Sequence, residues 1–441
     1  MASLPILVTT PLAESVVILG TSLASLVAAY ELARQGYHLT LIEHPSWADD
    51  LSASEHILGC HREIHALLGA LPGSEPPTRD PATPLEFFLP DGRIVSYRTT
   101  ALPGSLHWIA GLVRFRGLSW NDRWQLLSYL ERIWEQEISA PTTLDQRTAD
   151  AWLASIGQSQ SARDHIWAPL VRFLTGNALT DLSAASCARA LTPPFLTDAR
   201  ASSCTKRSSS HLQRLHHQLK SALSTLGAQV LTQTDLPHIQ FGQHRIDHVR
   251  LGDGHMMQAT WYLSGIPHHA LLKLLPDRLL TRYGYFSQLS DLTDLPALSV
   301  HLTGSAPAAI PRLVLLPGQG FQSVATSTAD PSTALYELSV VGDVPFIERT
   351  EADLIDLAKQ ELQRLFPALR TIRLNPIALH RRPRAALSLT SGSPILRPIQ
   401  QSPVQNLLVA GPWTDTGWPT SSESAVVSAR RCVTAITGSP S

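Results

Sequence analysis

The sequence predicts an α/β fold: a Rossmann-like nucleotide-binding domain closely joined to a second domain of helices and strands. Three observations predict it. Residues Val16 to Glu43 read as strand, helix and strand. Residues Asn406 to Ala435, at the far end, read as an apolar strand, a threonine-rich turn and a helix. The length of 441 residues also exceeds one simple core and suggests two closely joined domains.

The N-terminal unit opens with Val16-Val17-Ile18-Leu19, a run suited to a strand buried on both faces. Gly20 breaks the run. From Leu23 to Arg34 apolar residues recur at helical spacing, Gly36 stands where a C-cap belongs, and a strand from His38 to Ile42 ends on Glu43. An acid about twenty positions after the first turn is the layout of a dinucleotide fold, with a helix N-terminus on a pyrophosphate and a carboxylate on a ribose. The glycines depart from G-x-G-x-x-G, because Gly20 is followed by Ser22 and Ser25. Side chains at those places cost about 1–3 kcal/mol if nothing relaxes. On these residues alone, an ordinary βαβ unit without a nucleotide stands level with the nucleotide-binding one.

Composition removes several classes. A net charge of −1 with 16% charged residues gives no basic field for nucleic acid. Cys60, Cys187, Cys204 and Cys432 lie far apart with no C-x-x-C, as expected of reduced structural thiols in a cytoplasmic protein. No eighteen-residue apolar run and no signal-peptide pattern is present, so any membrane contact is expected to be peripheral. No metal site is expected: His61 and His65 fall four apart but lack a third ligand, and a solvated or core-edge pair is the simpler reading.

In chain order, residues 55–71 read as a short helix, and 72–84 as a proline-rich connector. A hairpin from Phe87 to Tyr97 turns at Asp91-Gly92. Leu102 to Trp134 is mostly helical, with Leu106, Ile109, Leu112 and Val113 on one face and Arg114 and Arg116 beside it. That face suits either the core of a second domain or a lipid surface. Helices continue from Ala149 to Leu191, and Ala201 to Ser210 reads as a serine-rich loop carrying Lys206 and Arg207. A helix from His211 to Leu226 and a strand from Gln229 to Thr234 follow. A second hairpin pairs Ile246–Leu251 with Met257–Leu263. Short strands fill 296–345, Glu351 to Phe366 is an amphipathic helix, and Arg381, Arg382 and Arg384 cluster on what reads as a solvated turn.

In the last segment, NLLVAGPWTDTGWPTSSESAVVSARRCVTA, Thr420 and Glu423 form a capping-box pattern that opens a helix. This segment resembles the C-terminal flavin motif of the squalene-associated, FAD-dependent desaturase-like proteins. These are the hydroxysqualene dehydroxylases of bacterial hopanoid and squalene synthesis, which belong with phytoene desaturases and flavin-containing amine oxidases. Their pattern is approximately G-D-W-T-x-T-G-x-P-x-x-x-E-G-A-V. Gly411, Trp413, Thr414, Thr416, Gly417, Pro419, Glu423, Ala425 and Val426 match it. EHILG at 55–59, LPGSLHWIAGLVRFRGLS at 102–119, IWAPLVRFLTGNAL at 166–179 and YLSGIPHHALLKLLP at 262–276 extend the resemblance over nearly the whole chain.

The resemblance implies that residues 14–71, 205–280 and 395–438 build an FAD-binding domain, and that 85–200 and 281–394 build a substrate domain with an apolar channel. It places the FAD pyrophosphate over Gly20, Thr21, Ser22, Leu23, Ala24 and Ser25, the adenosine ribose on Glu43 and the adenine near Leu236. The flavin would meet Gly411, Pro412, Trp413, Thr414, Gly417 and the helix starting at Ser421. Glu55 or His56 would be the acid that helps a hydroxyl leave as reduced FAD delivers hydride, giving squalene from hydroxysqualene. A hydrophobic isoprenoid substrate, neighbouring squalene-pathway enzymes and a peripheral place on the inner face of the cytoplasmic membrane are the implied partners and location.

The departures gather at the cofactor: Ser22, Ser25 and Ser424 for glycines, Pro412 for Asp, and HPSWADDL where a G-G-R stretch is expected soon after Glu43. Two other function classes therefore stand beside the first. One is a flavin-dependent desaturase or amine oxidase with another substrate. The other is a flavin-free lipid-binding or scaffold relative.

Overall fold

The computed structural model describes residues 14–438 apart from 53, 72–83, 100–105, 136–143, 306–310, 319, 331–332, 343–344 and 393–395. All but the last residue of the proline-rich connector, and the start of the Leu102 segment, lie outside the described residues. In chain order the principal elements are β1 (Ser15–Leu19), α1 (Leu23–Arg34), β2 (His38–Glu43), β3 (Glu55–Leu58), α2 (Arg62–Ala70), β4 (Leu85–Phe88) and β5 (Ile94–Tyr97). There follow α3 (Leu106–Arg114), α4 (Trp120–Glu135), α5 (Ala149–Ser155), α6 (Ala168–Thr175), α7 (Ala184–Leu196), β6 (Cys204–Arg207) and α8 (Ser209–Thr225). Next come β7 (Gln229–Thr232), β8 (His238–Phe241), β9 (Ile246–Arg250), β10 (Met256–Met257), β11 (Trp261–Ser264), α9 (His268–Leu272) and β12 (Asp294–Ser305). The chain closes with β13 (Leu313–Leu315), β14 (Ser323–Asp330), β15 (Thr333–Val341), α10 (Glu351–Leu365), β16 (Asn375–Leu387), β17 (Leu407–Val409) and α11 (Ser422–Thr437).

Five strands from three distant stretches form one parallel sheet, in the order β17-β11-β1-β2-β7. The aliphatic run of β1 lies at its centre, and Val16, Val17, Ile18 and Leu19 are all buried. One face is covered by α1, α2, α8 and α11, whose Leu26, Val27, Leu67, Leu219, Val426 and Val433 share a core with Ile18 and Leu41. Burial on both faces is what a parallel sheet requires, and it explains the unbroken apolar strands. The second sheet is seven-stranded and mostly antiparallel, in the order β16-β12-β15-β14-β13-β4-β5, and α10 packs on one of its faces. A two-stranded ribbon, β3 with β6, ties residues 55–58 to 204–207.

Four local expectations are corrected. Residues 55–71 are not one helix: Glu55–Leu58 pair as a strand with Cys204–Arg207, and the helix begins only at Arg62. The serine-rich stretch 201–210 supplies that partner strand and the start of α8, so it is not a free loop. The second hairpin splits, because Met256–Met257 pair with β9 whereas Trp261–Ser264 join the parallel sheet. Arg381, Arg382 and Arg384 lie on β16, not on a turn.

Candidate functional site

β1, β11 and β17 run side by side, and each is followed within a residue or two by a glycine: Gly20, Gly265 and Gly411. The carboxyl edge of a parallel sheet is where such folds bind ligands. Here it opens into a cavity of about 630 Å³, lined by Ser22, Leu23 and Ala24 on one side and Gly411, Pro412, Trp413 and Ser421 on another. Gly20 has φ +91° and Gly411 φ +148°, and a side chain at either would also collide, with Ile266 Cγ2 at 2.7 Å and Trp413 Nε1 at 2.5 Å. These two turns admit glycine alone.

The serines in the first turn are absorbed rather than overpacked. Ser22 caps α1 by accepting from Ser25 N at 3.3 Å, and its hydroxyl donates to Gly265 O at 2.6 Å. Room for the Ser25 hydroxyl comes from Gly265, where a Cβ would lie 1.9 Å from Ser25 Oγ. The space that the fingerprint keeps on α1 is kept on β11 instead. Glu43 ends β2 and accepts from Thr21 Oγ1 at 2.7 Å and from Lys220 Nζ at 2.6 Å. Partial burial raises the Glu43 carboxyl, but the bonds from Lys220 and Thr21 outweigh it and hold the group below the usual range.

At the far side, Ser428 Oγ accepts from Gly411 N at 3.0 Å, and buried Thr414 donates to Gly411 O at 2.9 Å. Pro412 O accepts from Arg397 Nη2 at 3.0 Å. The capping residue of α11 is Ser421, which accepts from Ser424 N at 3.2 Å, rather than the expected Thr420. Glu423 reaches away from its own helix to accept from Glu63 N at 3.1 Å and Ile64 N at 2.9 Å at the start of α2. Burial pushes its carboxyl up to about 7 against those bonds. Gly417 and Thr414 support the turn without lining the cavity, and Leu236 is exposed and stands outside the lining residues.

Glu55 and His56 both line the cavity, with different prospects as an acid. Glu55 accepts from Ser422 N at 2.8 Å and from the Ser422 hydroxyl, so both its oxygens are engaged in capping α11. His56 is driven down to about 4 by burial, which leaves a neutral ring, and its Nε2 has no hydrogen-bond partner. Two groups that no motif marked complete the site. Asp49 Oδ2 accepts from Leu23 N at 2.9 Å at the tip of α1. Burial, opposed by that bond and reinforced by Glu55, pushes the Asp49 carboxyl up to about 6. On the opposite wall Glu337 of β15 lies 2.7 Å from Lys206 Nζ and accepts from Ser54 Oγ at 2.6 Å. Burial raises Glu337, but Lys206 and Ser54 overturn it and hold the carboxyl at about 2. The only trace of Glu337 in the sequence is a single acid inside the apolar strand ALYELSVV.

The His61–His65 pair gathers no third ligand among the described residues, whereas His268, His269 and Asp294 bring three candidate ligand atoms within 4.8 Å of one another. His61 Nδ1 accepts from Leu58 N at 3.3 Å, and His65 Nε2 lies 3.0 Å from Leu58 O, so both hold the backbone. His268, His269 and Asp294 gather at the cavity edge, but Arg384 Nε stands 3.6 Å from the Asp294 carboxylate. Among the described residues no helix is long and apolar enough to cross a membrane.

The cleft fits FAD. Two helix N-termini and the glycine strand ends at Gly265 and Gly411 face one cavity; Gly20, Thr21, Ser25 and Glu43 stand behind its lining, with Glu43 at the end of β2, where a ribose carboxylate belongs. Comparison with known proteins agrees. The family model for flavin containing amine oxidoreductases matches residues 54–437. The 15-cis-phytoene desaturase of Narcissus pseudonarcissus is 25% identical over 238 residues, 51% of this chain and 42% of that protein, so the chain spans about two-fifths of that relative. A zeta-carotene desaturase of Synechocystis is 21% identical over 324 residues, 66% of each. An oxidoreductase from Methanosarcina mazei has the same fold, with a TM-score of 0.70 at 13% identity over 96% of this chain and 100% of that one. Putrescine oxidase does too, at 0.68 and 13% over 97% and 100%. The chain belongs to the flavin containing amine oxidoreductase family.

Proposed function

We propose that the protein carries out the FAD-dependent conversion of hydroxysqualene to squalene. The observation that carries this reading is the second half of the cavity. Phe173, Leu174, Leu298, Val340 and Leu387 line it with hydrocarbon, next to the strand ends that hold the nucleotide. When bound, FAD supplies or takes up the hydride. Ser22, Leu23, Gly411, Trp413 and Ser421 line the cavity where it would be held, and Glu43 would be the carboxylate for its ribose. That hydrocarbon patch would shield the reacting carbon from water, with Ser299, Gln322, Glu337 and Arg382 forming a polar wall beside it. His56, neutral and with Nε2 unpartnered, offers a hydrogen bond to the substrate hydroxyl, a role that the capping of Glu55 denies to its neighbour.

The test is incubation of chemically reduced holoprotein with hydroxysqualene. Squalene is the expected product, and a flavin-loaded protein that leaves the alcohol untouched would sink dehydroxylation. A second reading, oxidative desaturation of a polyene, draws support from the phytoene and zeta-carotene desaturases among the relatives. Its test is conversion of a polyene by the oxidised holoprotein.

A further inference from the structure

Each of the helix ends that open on the cleft already holds a carboxylate from its own chain. Asp49 sits on the first free N–H of α1, at Leu23. Glu55 sits on the first turn of α11, taking both the N–H and the hydroxyl of Ser422. The orphan N–H groups and dipole of a helix start are what phosphates and other anions bind. Asp49 is followed by a second acid, Asp50, and both line the cavity. The groups facing it offer little compensation. His216 Nε2 of α8 is 3.7 Å away and is driven down to about 4 by burial and by Lys220, and Glu55 adds a like charge.

Resting on the assignment of this cleft to FAD, we propose that Asp49 and Glu55 are internal occupants of the two anion positions and together set the cofactor affinity. FAD enters by displacing Asp49 from Leu23 N, and its flavin end meets the α11 start only as Glu55 gives way. The helix ends stay capped in the empty protein, and the cofactor binds in competition with them. An Asn at 49 keeps an acceptor for Leu23 N but removes the charge opposing a diphosphate, so it separates competition from capping.

The experiment titrates apoprotein with FAD and separately with ADP, following ligand fluorescence or heat. It compares wild type, Asp49→Asn, Asp49→Ala and Glu55→Gln, with the melting temperature of each empty protein. Asp49→Asn and Asp49→Ala are expected to bind both FAD and ADP roughly tenfold or more tighter than wild type. Glu55→Gln is expected to tighten FAD but not ADP, because it faces the flavin end. Asp49→Asn keeps the cap and removes an uncompensated buried charge, so its empty form should melt at or above wild type, whereas Asp49→Ala, which loses the cap, should melt below Asp49→Asn; tighter binding by both variants therefore cannot be a stability effect. Unchanged or weaker FAD and ADP binding by both Asp49 variants would overturn the proposal while leaving the flavin assignment intact. Failure of every protein, wild type included, to bind FAD would overturn both.

Discussion

The pair Lys206–Glu337 joins two strands 131 positions apart through largely buried charges. It brings a strand of the small ribbon against the long sheet, 2.7 Å apart, with Ser54 as a third partner. Removing one member of a buried pair strands the other charge, which costs roughly 3–5 kcal/mol, whereas replacing both is far milder. Lys206→Met is therefore expected to lower the denaturant midpoint strongly, and Lys206→Met/Glu337→Gln to recover most of the loss. The pH sense follows from Glu337 being held at about 2 against an ordinary value of 4.5. Its contribution is fully present above about 4.5 and is lost as pH falls toward 2. Acid unfolding followed by circular dichroism should begin at a higher pH in wild type than in Glu337→Gln relative to each protein's neutral stability. The sequence does not disclose this pair, since Lys206 lies in a serine-rich stretch and Glu337 in an alternating strand, with no local pattern joining them.

At the scale of elements, the meeting of α1 with β11 decides whether the altered first turn is tolerated. Because a Cβ at 265 would lie 1.9 Å from Ser25 Oγ, Gly265→Ala is expected to cost about 1–3 kcal/mol by overpacking. Ser25→Gly should restore stability in the double variant, which a thermal melt would reveal as strong non-additivity. The helical stretch after residue 102 presents a different kind of surface. Trp120 and Trp124, one turn apart on α4, are 64% and 60% exposed, and Arg123 lies over the Trp120 ring at 5.8 Å while donating to Val113 O of α3 at 2.6 Å. Exposed indoles beside an arginine suit a lipid interface. Trp120→Ala/Trp124→Ala is expected to reduce sedimentation with anionic vesicles several-fold and to leave the melting temperature nearly unchanged, since neither indole is in the core. Equal sedimentation by both proteins would count against any lipid contact at this face. Helical periodicity foretold α3 and α4 but not which face meets solvent, because a Trp pattern serves a core and an interface equally well.

For the whole molecule, the parallel sheet is completed only when strands from near both ends and from the middle of the chain meet: β1 and β2, then β7 and β11, then β17. That closure brings Ser22 and Ser421 to one cavity. The sequence by itself determined the strand–helix–strand start, the glycine turns at Gly20 and Gly411, and the strand and helix of the last segment. Each of these is written in residues a few positions apart, where periodicity, caps and backbone freedom act. Tertiary structure alone decided that Gly265 makes room for Ser25, that Asp49 and Glu55 sit on the helix tips, and that residues 55–58 pair as a strand. The Glu55–Ser422 contact spans 367 positions. At such separations only the packed fold, and no spacing along the chain, selects which acid meets which N–H.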